Sequence, residues 1–349
     1  MRSDESAAVV LGGGIAGIAA ALGVAESGAA VSLIERQEEI GGHGARLCCK
    51  ATDACCQCGA CIVADKIERV RAHPNVSLLT RAVLATLSGE MGNFHVTVAR
   101  DGGKEIRMRT SAIIVATGFA PFDARQKPEL GYGACANVLT GLELEEQIRR
   151  SGSIVRPSDG RRPASIAFVQ CVGSRDVHIG NDYCSRVCCK YALRMARLLQ
   201  ARIPQLNVTV FYMDIQVGGK GFYDFYQSCR KTMRFVRALP VGVVEDGSGD
   251  LEVQYEDTAR GQVVKESFDM VVLSVGMVPA PDAGTLATTL GIGINGSRFF
   301  ATRSEAETNL TDVDGIFLAG ACQGPKDIEG SIAHAQAAAM RVVSQLGVS

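Results

Sequence analysis

The sequence predicts an α/β protein built of two similar units, the second inserted into the first. Three observations carry this. A glycine-rich turn, Gly12-x-Gly14-x-x-Gly17, follows one apolar run and opens an alanine-rich one. The order strand, turn, helix, strand, antiparallel strands, strand-Gly occurs twice, so that Thr117-Gly118 and Val275-Gly276 hold equivalent places. The length, 349 residues, corresponds to about two domains at roughly 150 residues each.

Taken in order, Ala7–Leu11 reads as a buried strand, Gly14–Ser27 as a helix and Ala30–Glu35 as a second strand ending in an acid. Arg81–Leu87, Phe94–Arg100 and Glu105–Arg109 alternate as antiparallel strands do, whereas Ser111–Thr117 is a continuous apolar strand. A helix is expected near Leu142–Arg150, within a stretch rich in Pro, Gly and charge. The second unit begins with strand Ala164–Gln170. Helix Arg186–Gln200, strand Asn207–Met213, hairpin Leu251–Tyr255 with Val263–Phe268, and strand Met270–Val275 follow. Strand Gly315–Ala319 and helix Ile332–Leu346 return to the first unit. The expected division is residues 1–150 and 281–349 for the first unit and 151–280 for the insert.

Composition excludes several classes. Net charge is −1 and aromatics are 5% with no Trp, so neither a basic nucleic-acid surface nor a base-stacking platform is expected. The 47% hydrophobic and 21% charged residues exclude disorder. Ala7–Ala25 carries no charge and resembles a membrane span in length. It is interrupted by Gly12, Gly13, Gly14 and Gly17, and MRSDES before it is a poor signal-peptide start. No membrane span is expected, and a cytoplasmic location is.

The glycine turn has a physical logic. Gly12 permits the tight turn, Gly14 lets the backbone approach a pyrophosphate and Gly17 lets the helix pack on the strand. The helix N-terminus offers unpaired N–H groups to phosphate. Glu35, roughly twenty residues on, can accept from ribose hydroxyls. The first unit is therefore read as Rossmann-like, and the second likewise from its repeated element order. The layout Glu35-Arg36-x-x-x-x-Gly41-Gly42 resembles the FAD-binding half of flavoprotein oxidoreductases with two nucleotide-binding domains. So do Val115-Ala116-Thr117-Gly118 and the late segment Thr311–Gly320. That resemblance implies an FAD site formed by Gly12, Gly14, Ile15, Ala16, Gly17, Glu35, Arg36, Gly41, Gly42, Val83, Ala116, Thr117, Gly118, Gly320, Lys326, Asp327 and Ile328. Ala321 stands where members of that group often carry Asp.

The second unit has no such turn. After IAFVQ comes Cys171-Val172-Gly173-Ser174-Arg175, a cysteine where a pyrophosphate would sit. Cysteine is the unusual residue here. Of 13, six lie between Cys48 and Cys61 and three between Cys184 and Cys189. Clustered thiols point to metal or redox chemistry in a reducing compartment. Cys184 and Cys188 share a face if one helix includes both. A strand-end thiol facing a helix start suits an iron–sulfur cluster, and buried free thiols are the alternative. For Cys55-x-x-Cys58-x-x-Cys61 with Cys48, Cys49 and Cys56, a second cluster, a zinc site, a redox-active pair and non-ligating thiols beside the flavin all stay open. The last is preferred.

The pattern C-x12-C-x3-C-C in an FAD protein resembles the heterodisulfide reductase A-subunit family. DIQVGGKGFYDFY (Asp214–Tyr226) and GPKDIEGSIAHA (Gly324–Ala335) also resemble stretches of that family. The resemblance implies FAD and one 4Fe–4S cluster held by Cys171, Cys184, Cys188 and Cys189. It further implies a homodimeric core that passes electrons to other iron–sulfur and disulfide-handling subunits, and the missing turn in the second unit removes NAD(P)H as donor. In length the chain resembles the short, core-only members of this family found in sulfur oxidisers. The alternatives are a stand-alone sulfide- or disulfide-acting flavoprotein using thiols such as Cys135 or Cys322, and a scaffold holding FAD structurally. His43, His178 and His334 are read as surface or packed side chains. Lys190 and Lys326 are candidates for positive charge near the flavin. No residue is assigned as catalytic.

Overall fold

The structure is a computed structural model and describes residues 5–216 and 218–347. In chain order, β1 (Glu5–Leu11), α1 (Ile15–Ala25) and β2 (Val31–Ile34) lead to α2 (Ala60–Ala72) and β3 (Val76–Leu79). Strands β4 (Ala82–Glu90), β5 (Asn93–Arg100) and β6 (Lys104–Val115) follow. Next come β7 (Phe119–Pro121), β8 (Val138–Thr140), α3 (Gly141–Ser151), β9 (Ser165–Val172), α4 (Cys188–Arg202), β10 (Asn207–Phe211), α5 (Phe222–Arg230) and β11 (Arg234–Val236). The rest is β12 (Pro240–Glu245), β13 (Leu251–Asp257), β14 (Gln262–Phe268), β15 (Met270–Val275), β16 (Met277–Pro279), α6 (Ala283–Leu290), β17 (Ile316–Leu318) and α7 (Ile328–Leu346).

The chain divides into two compact units. One holds the residues through Arg46, Gly59–Ala120, and everything from Val278; the other holds Leu47–Cys58 and Pro121–Met277. Each is an α/β unit around a sheet with a parallel core, in keeping with two Rossmann-like units.

In the first unit the sheet runs β3-β2-β1-β6-β5-β4, with β17 also on β6. β6 changes partner along its length. Lys104–Thr110 ladders antiparallel with β5, whereas its C-terminal end runs parallel to β1 and β17. Its burial changes with it, from alternating to continuous. This is why its sequence reads as two strands when it is one. Helix α1 is buried on nearly every side because it lies among sheet residues and α7 in one apolar cluster. Gly23 allows that approach: a Cβ there would stand 2.9 Å from Ala339 Cβ. Among the described residues no helix is long and apolar enough to cross a membrane.

In the second unit β11-β10-β9-β15-β8 form an all-parallel sheet, and β12-β13-β14 a separate antiparallel one. The sequence reading leaves out α2, α5, α6 and the short strands β3, β7, β8, β11, β12 and β16. It starts α7 at Ile332, one turn late, because the Asp327 carboxylate caps the helix by accepting from the Gly330 N–H (2.8 Å).

Leu47–Cys58 crosses to the second unit as a strap, anchored by charge. Lys50 is 1% exposed, and its Nζ donates to Glu145 Oε1 (2.8 Å) and Cys48 O (3.1 Å). Glu145, equally buried, also accepts from the Cys48 N–H (2.5 Å) and lies 2.9 Å from the Tyr191 hydroxyl. A buried carboxylate left without its cation is costly. Lys50→Met is therefore expected to destabilise the protein by about 3–5 kcal/mol, read as a lower urea midpoint with an unchanged slope.

Candidate functional site

The first candidate site lies at the C-terminal ends of the parallel strands of the first unit. Register sets it: Leu11 pairs with Ile34 and Val115, and Val115 with Leu318. Gly12, Glu35, Ala116 and Ala319 therefore leave the sheet at one level. Such strand ends are where α/β sheets bind ligands.

The glycines are not equivalent. At Gly12 (φ +108°) a Cβ would stand 2.5 Å from Ala116 O, and at Gly17 it would collide with the Gly12 carbonyl. Both are fixed by protein packing. At Gly14, the N-cap of α1, a Cβ would meet no protein atom within 4 Å. Open space before an uncapped helix start is the cradle that a pyrophosphate requires. Gly41 and Gly42 close over it. The Gly41 N–H donates to Gly13 O (2.7 Å), and a Cβ on Gly42 would be 3.2 Å from Gly14 Cα.

The Glu35 carboxylate is buried and accepts from the Gly13 N–H (2.6 Å) and the Gln37 N–H (2.8 Å). It thus braces the turn as well as offering remaining lone pairs. Arg36 pairs with Asp282 at the surface (3.0 Å), a contact of small energetic weight. Val83 is half exposed beside Glu35, whose carbonyl accepts from the Ala82 N–H (3.0 Å). Thr117 Oγ1 is buried with no partner, and so is His43 Nδ1. Gly320 (φ +74°) presses on Ala16, so Ile15 and Ala16 sit at the late motif. Lys326 Nζ donates to Gln323 Oε1 (2.5 Å), just before the Asp327 cap and Ile328.

His334 is a packed residue. Its Nδ1 accepts from the Gly320 N–H (2.9 Å) and its Nε2 lies 3.1 Å from Thr308 O. Burial pushes its pKa down to about 4, so the ring is neutral at pH 7. His178 lies in a surface turn capped by Asp176.

The second candidate site is in the second unit. Cys171, at the end of β9, has φ +60°. A side chain on Gly173 (φ +76°) would fall inside the Phe122 ring. The turn that would admit a dinucleotide is thus filled with protein. Helix α4 begins at Cys188, so Cys184 stands outside it and the two do not share a helical face; Arg186, with φ +63°, interrupts the chain between them. Cys188 Sγ lies 3.9 Å from Val275 O and Cys189 Sγ 3.9 Å from Asp214 O. Cys184 Sγ accepts from the Arg186 N–H (3.3 Å).

The four thiols are electrostatic neighbours around the end of β9 and the start of α4. Burial, with Cys189 and Cys184 nearby, pushes Cys171 up to about 11. Burial, with its three neighbours, raises Cys188 still further. Burial also raises Cys189. Arg175, held by Asp214 (2.6 Å), opposes the shift at Cys171. Among the described residues no three or more His, Cys, Asp or Glu take up the arrangement of a ligated metal ion.

The other cysteine group is divided between the units. Cys48 through Cys58 lie on the strap of the second unit, where Cys56 neighbours Arg194 and Arg197, while Cys61 lies in the first turn of α2 in the first. The strap's place against α3 and α4, through Lys50 and Glu145, has no signal in the sequence.

Residues 6–341 match the family model described as pyridine nucleotide-disulphide oxidoreductase. The chain belongs to that family. The expected resemblance to the A-subunit of heterodisulfide reductase is borne out as well. The chain is 36% identical to the second iron-sulfur A-subunit of CoB–CoM heterodisulfide reductase from Methanopyrus kandleri. It is 35% identical to the A-subunit of H(2):CoB-CoM heterodisulfide,ferredoxin reductase from Methanothermobacter marburgensis. In each case the match covers 97% of this chain and 64% of the relative, so the chain spans just under two thirds of their length. Thioredoxin reductase of T. acidophilum shares the fold, with a TM-score of 0.63 at 16% identity over 99% of this chain and 100% of that one. So does the Lactococcus lactis thioredoxin reductase, at 0.64, 18%, 98% and 99%. The family makes this chain an oxidoreductase of the flavin-dependent kind.

The His334 contact predicts a pH effect. Its folded pKa lies below the unfolded value near 6.5. The contribution is complete above pH 6.5 and is lost as pH falls through 6.5 toward 4. His334→Gln is expected to be less stable than wild type at pH 7.5, with the gap in thermal midpoint narrowing between pH 6.5 and 4.5. A constant gap would show that the ring does not titrate with folding.

Proposed function

We propose that this chain is an FAD- and iron–sulfur-containing electron-transfer subunit of a heterodisulfide-reductase-like complex, working in sulfur oxidation. It is a cytoplasmic homodimeric core, with further iron–sulfur and disulfide-handling subunits as partners. The observation that carries this reading is the grouping of Cys171, Cys184, Cys188 and Cys189 around the end of β9 and the start of α4, where Phe122 fills the dinucleotide turn.

The residues fit both groups. In the first unit the open space at Gly14 and the unpartnered Thr117 Oγ1 and His43 Nδ1 suit a dinucleotide. Gly12 to Gly17 would hold its phosphates, Glu35 a ribose, and Gly118, Gly320 and the start of α7 its far end. In the second unit four thiols at the end of β9 and around the start of α4 suit a cubane cluster, which takes each thiolate on a different iron. Bound flavin exchanges electrons in pairs or singly, and a bound cluster exchanges them singly. The protein's own part is to exclude the alternatives. Buried thiols stay protonated until a cation displaces the proton. The α4 N-terminus and Arg175 favour the negative charge that then develops.

Direct thiol chemistry is the weaker reading. Cys322 is buried, its Sγ lies 3.1 Å from Val115 O and 3.2 Å from Ala319 O, either of which can accept its one S–H, and burial pushes it up to about 11. Burial also raises Cys135. Neither has the low pKa and exposure of a reactive thiol.

Two measurements test this. Cys188→Ser is expected to lose the iron and the broad visible absorption of the purified protein, and Cys58→Ser to keep both; the reverse outcome assigns the cluster to the strap. Stopped-flow mixing with NADH or NADPH is expected to reduce the flavin slowly and without saturation. Rapid, saturable bleaching would restore a pyridine-nucleotide-dependent reductase.

A further inference from the structure

His43 is the one histidine among the described residues whose buried nitrogen the protein leaves unpaired, and its surroundings identify the partner it lacks. It follows Gly42 in the short 3-10 turn Gly42–Arg46, directly beside Gly14. Its Nε2 lies 3.1 Å from Phe119 O, and its ring packs on Phe119 with centroids 4.6 Å apart. A carbonyl can only accept, so Nε2 carries the proton. Burial, with Arg46 and Arg36 nearby, lowers the His43 pKa and keeps the ring neutral. Nδ1 is then a bare acceptor, buried and without a donor. An unsatisfied buried acceptor is costly unless something supplies a hydrogen.

The sheet order narrows the donor. The strands run β2-β1-β6, so Glu35 stands on one side of Gly12 and Phe119, just past β6, on the other. His43 Nε2 meets Phe119 O, which follows β6, and not the end of β2 where the residue expected to hold the ribose stands. Phosphate oxygens near Gly14 accept and cannot satisfy Nδ1. The group that can is a hydroxyl on the far side of the pyrophosphate, which in FAD is the ribityl chain.

We propose that His43 is a cofactor-positioning residue whose Nδ1 accepts a hydrogen bond from a ribityl hydroxyl of bound FAD, while its Nε2–H ties the Gly41-Gly42 turn to Phe119 at the start of β7. This rests on the flavin reading above.

Two substitutions separate the nitrogens. In His43→Asn the side-chain oxygen can replace Nδ1 as acceptor, but the donor to Phe119 is lost. In His43→Gln the amide N–H can replace Nε2, but the acceptor is lost. The measurement is FAD released on dilution of the purified protein, followed by FAD fluorescence, with urea midpoints of the flavin-free forms as the folding control. His43→Gln is expected to bind FAD about tenfold more weakly, the cost of one buried hydrogen bond. His43→Asn should stay within about threefold of wild type. Retention of FAD by His43→Gln at wild-type affinity, or loss confined to His43→Asn, overturns the assignment. Wild-type protein that carries no FAD overturns the flavin reading instead, so the two failures are distinguishable.

Discussion

Parallel register in the first unit controls the chemistry around it. Because Leu11, Ile34, Val115 and Leu318 end level, a turn, an acid, a hydroxyl-bearing loop and the late glycine all emerge at one height. A one-residue slip in any of these strands would turn its side chains to the other face and misplace its exit. The tolerances are small: Gly12 lies against Ala116 O, Gly17 against the Gly12 carbonyl and Gly320 against Ala16. The His334 imidazole fixes the last of these by accepting from the Gly320 N–H. Protein packing consumes these positions and leaves Gly14 open, which is how a ligand site differs from a tight turn.

The second unit uses the same kind of parallel ladder for another purpose. Phe122 occupies the space above Gly173, and Cys171 takes a left-handed conformation that a non-glycine residue adopts rarely. Arg175 and Arg186 are left-handed too, and Arg186 lies between Cys184 and Cys188, just before the helix begins. Backbone strain of this kind needs surroundings that over-determine it. Here Ser185, fully buried, supplies part of that by accepting from the Met277 N–H (2.8 Å).

The strap adds a third constraint. Lys50, Glu145 and Tyr191 join Leu47–Cys58 to α3 and α4 through a buried charge network. Tyr191 stands two residues beyond Cys189, so the network also steadies the start of α4.

Much was legible in the sequence because it depends on local pattern. Gly12, Gly14, Gly17 and Glu35 reported a strand-turn-helix-strand unit at fixed spacing, and the apolar runs reported buried parallel strands. The repeated order identified two Rossmann-like units, and C-x12-C-x3-C-C identified the relatives. Periodicity failed where one element changes surroundings, as in β6, and where short strands gain stability only from neighbours, as in β3, β8 and β11. Tertiary structure alone decided the rest. Whether Cys184 lies in α4 turned on one backbone conformation at Arg186. Phe122 filling the second turn, Lys50 meeting Glu145 95 residues away and His43 left with an unpaired Nδ1 all depend on which distant side chains meet. A linear pattern records spacing along the chain, and it does not record which buried polar atoms have found partners across it.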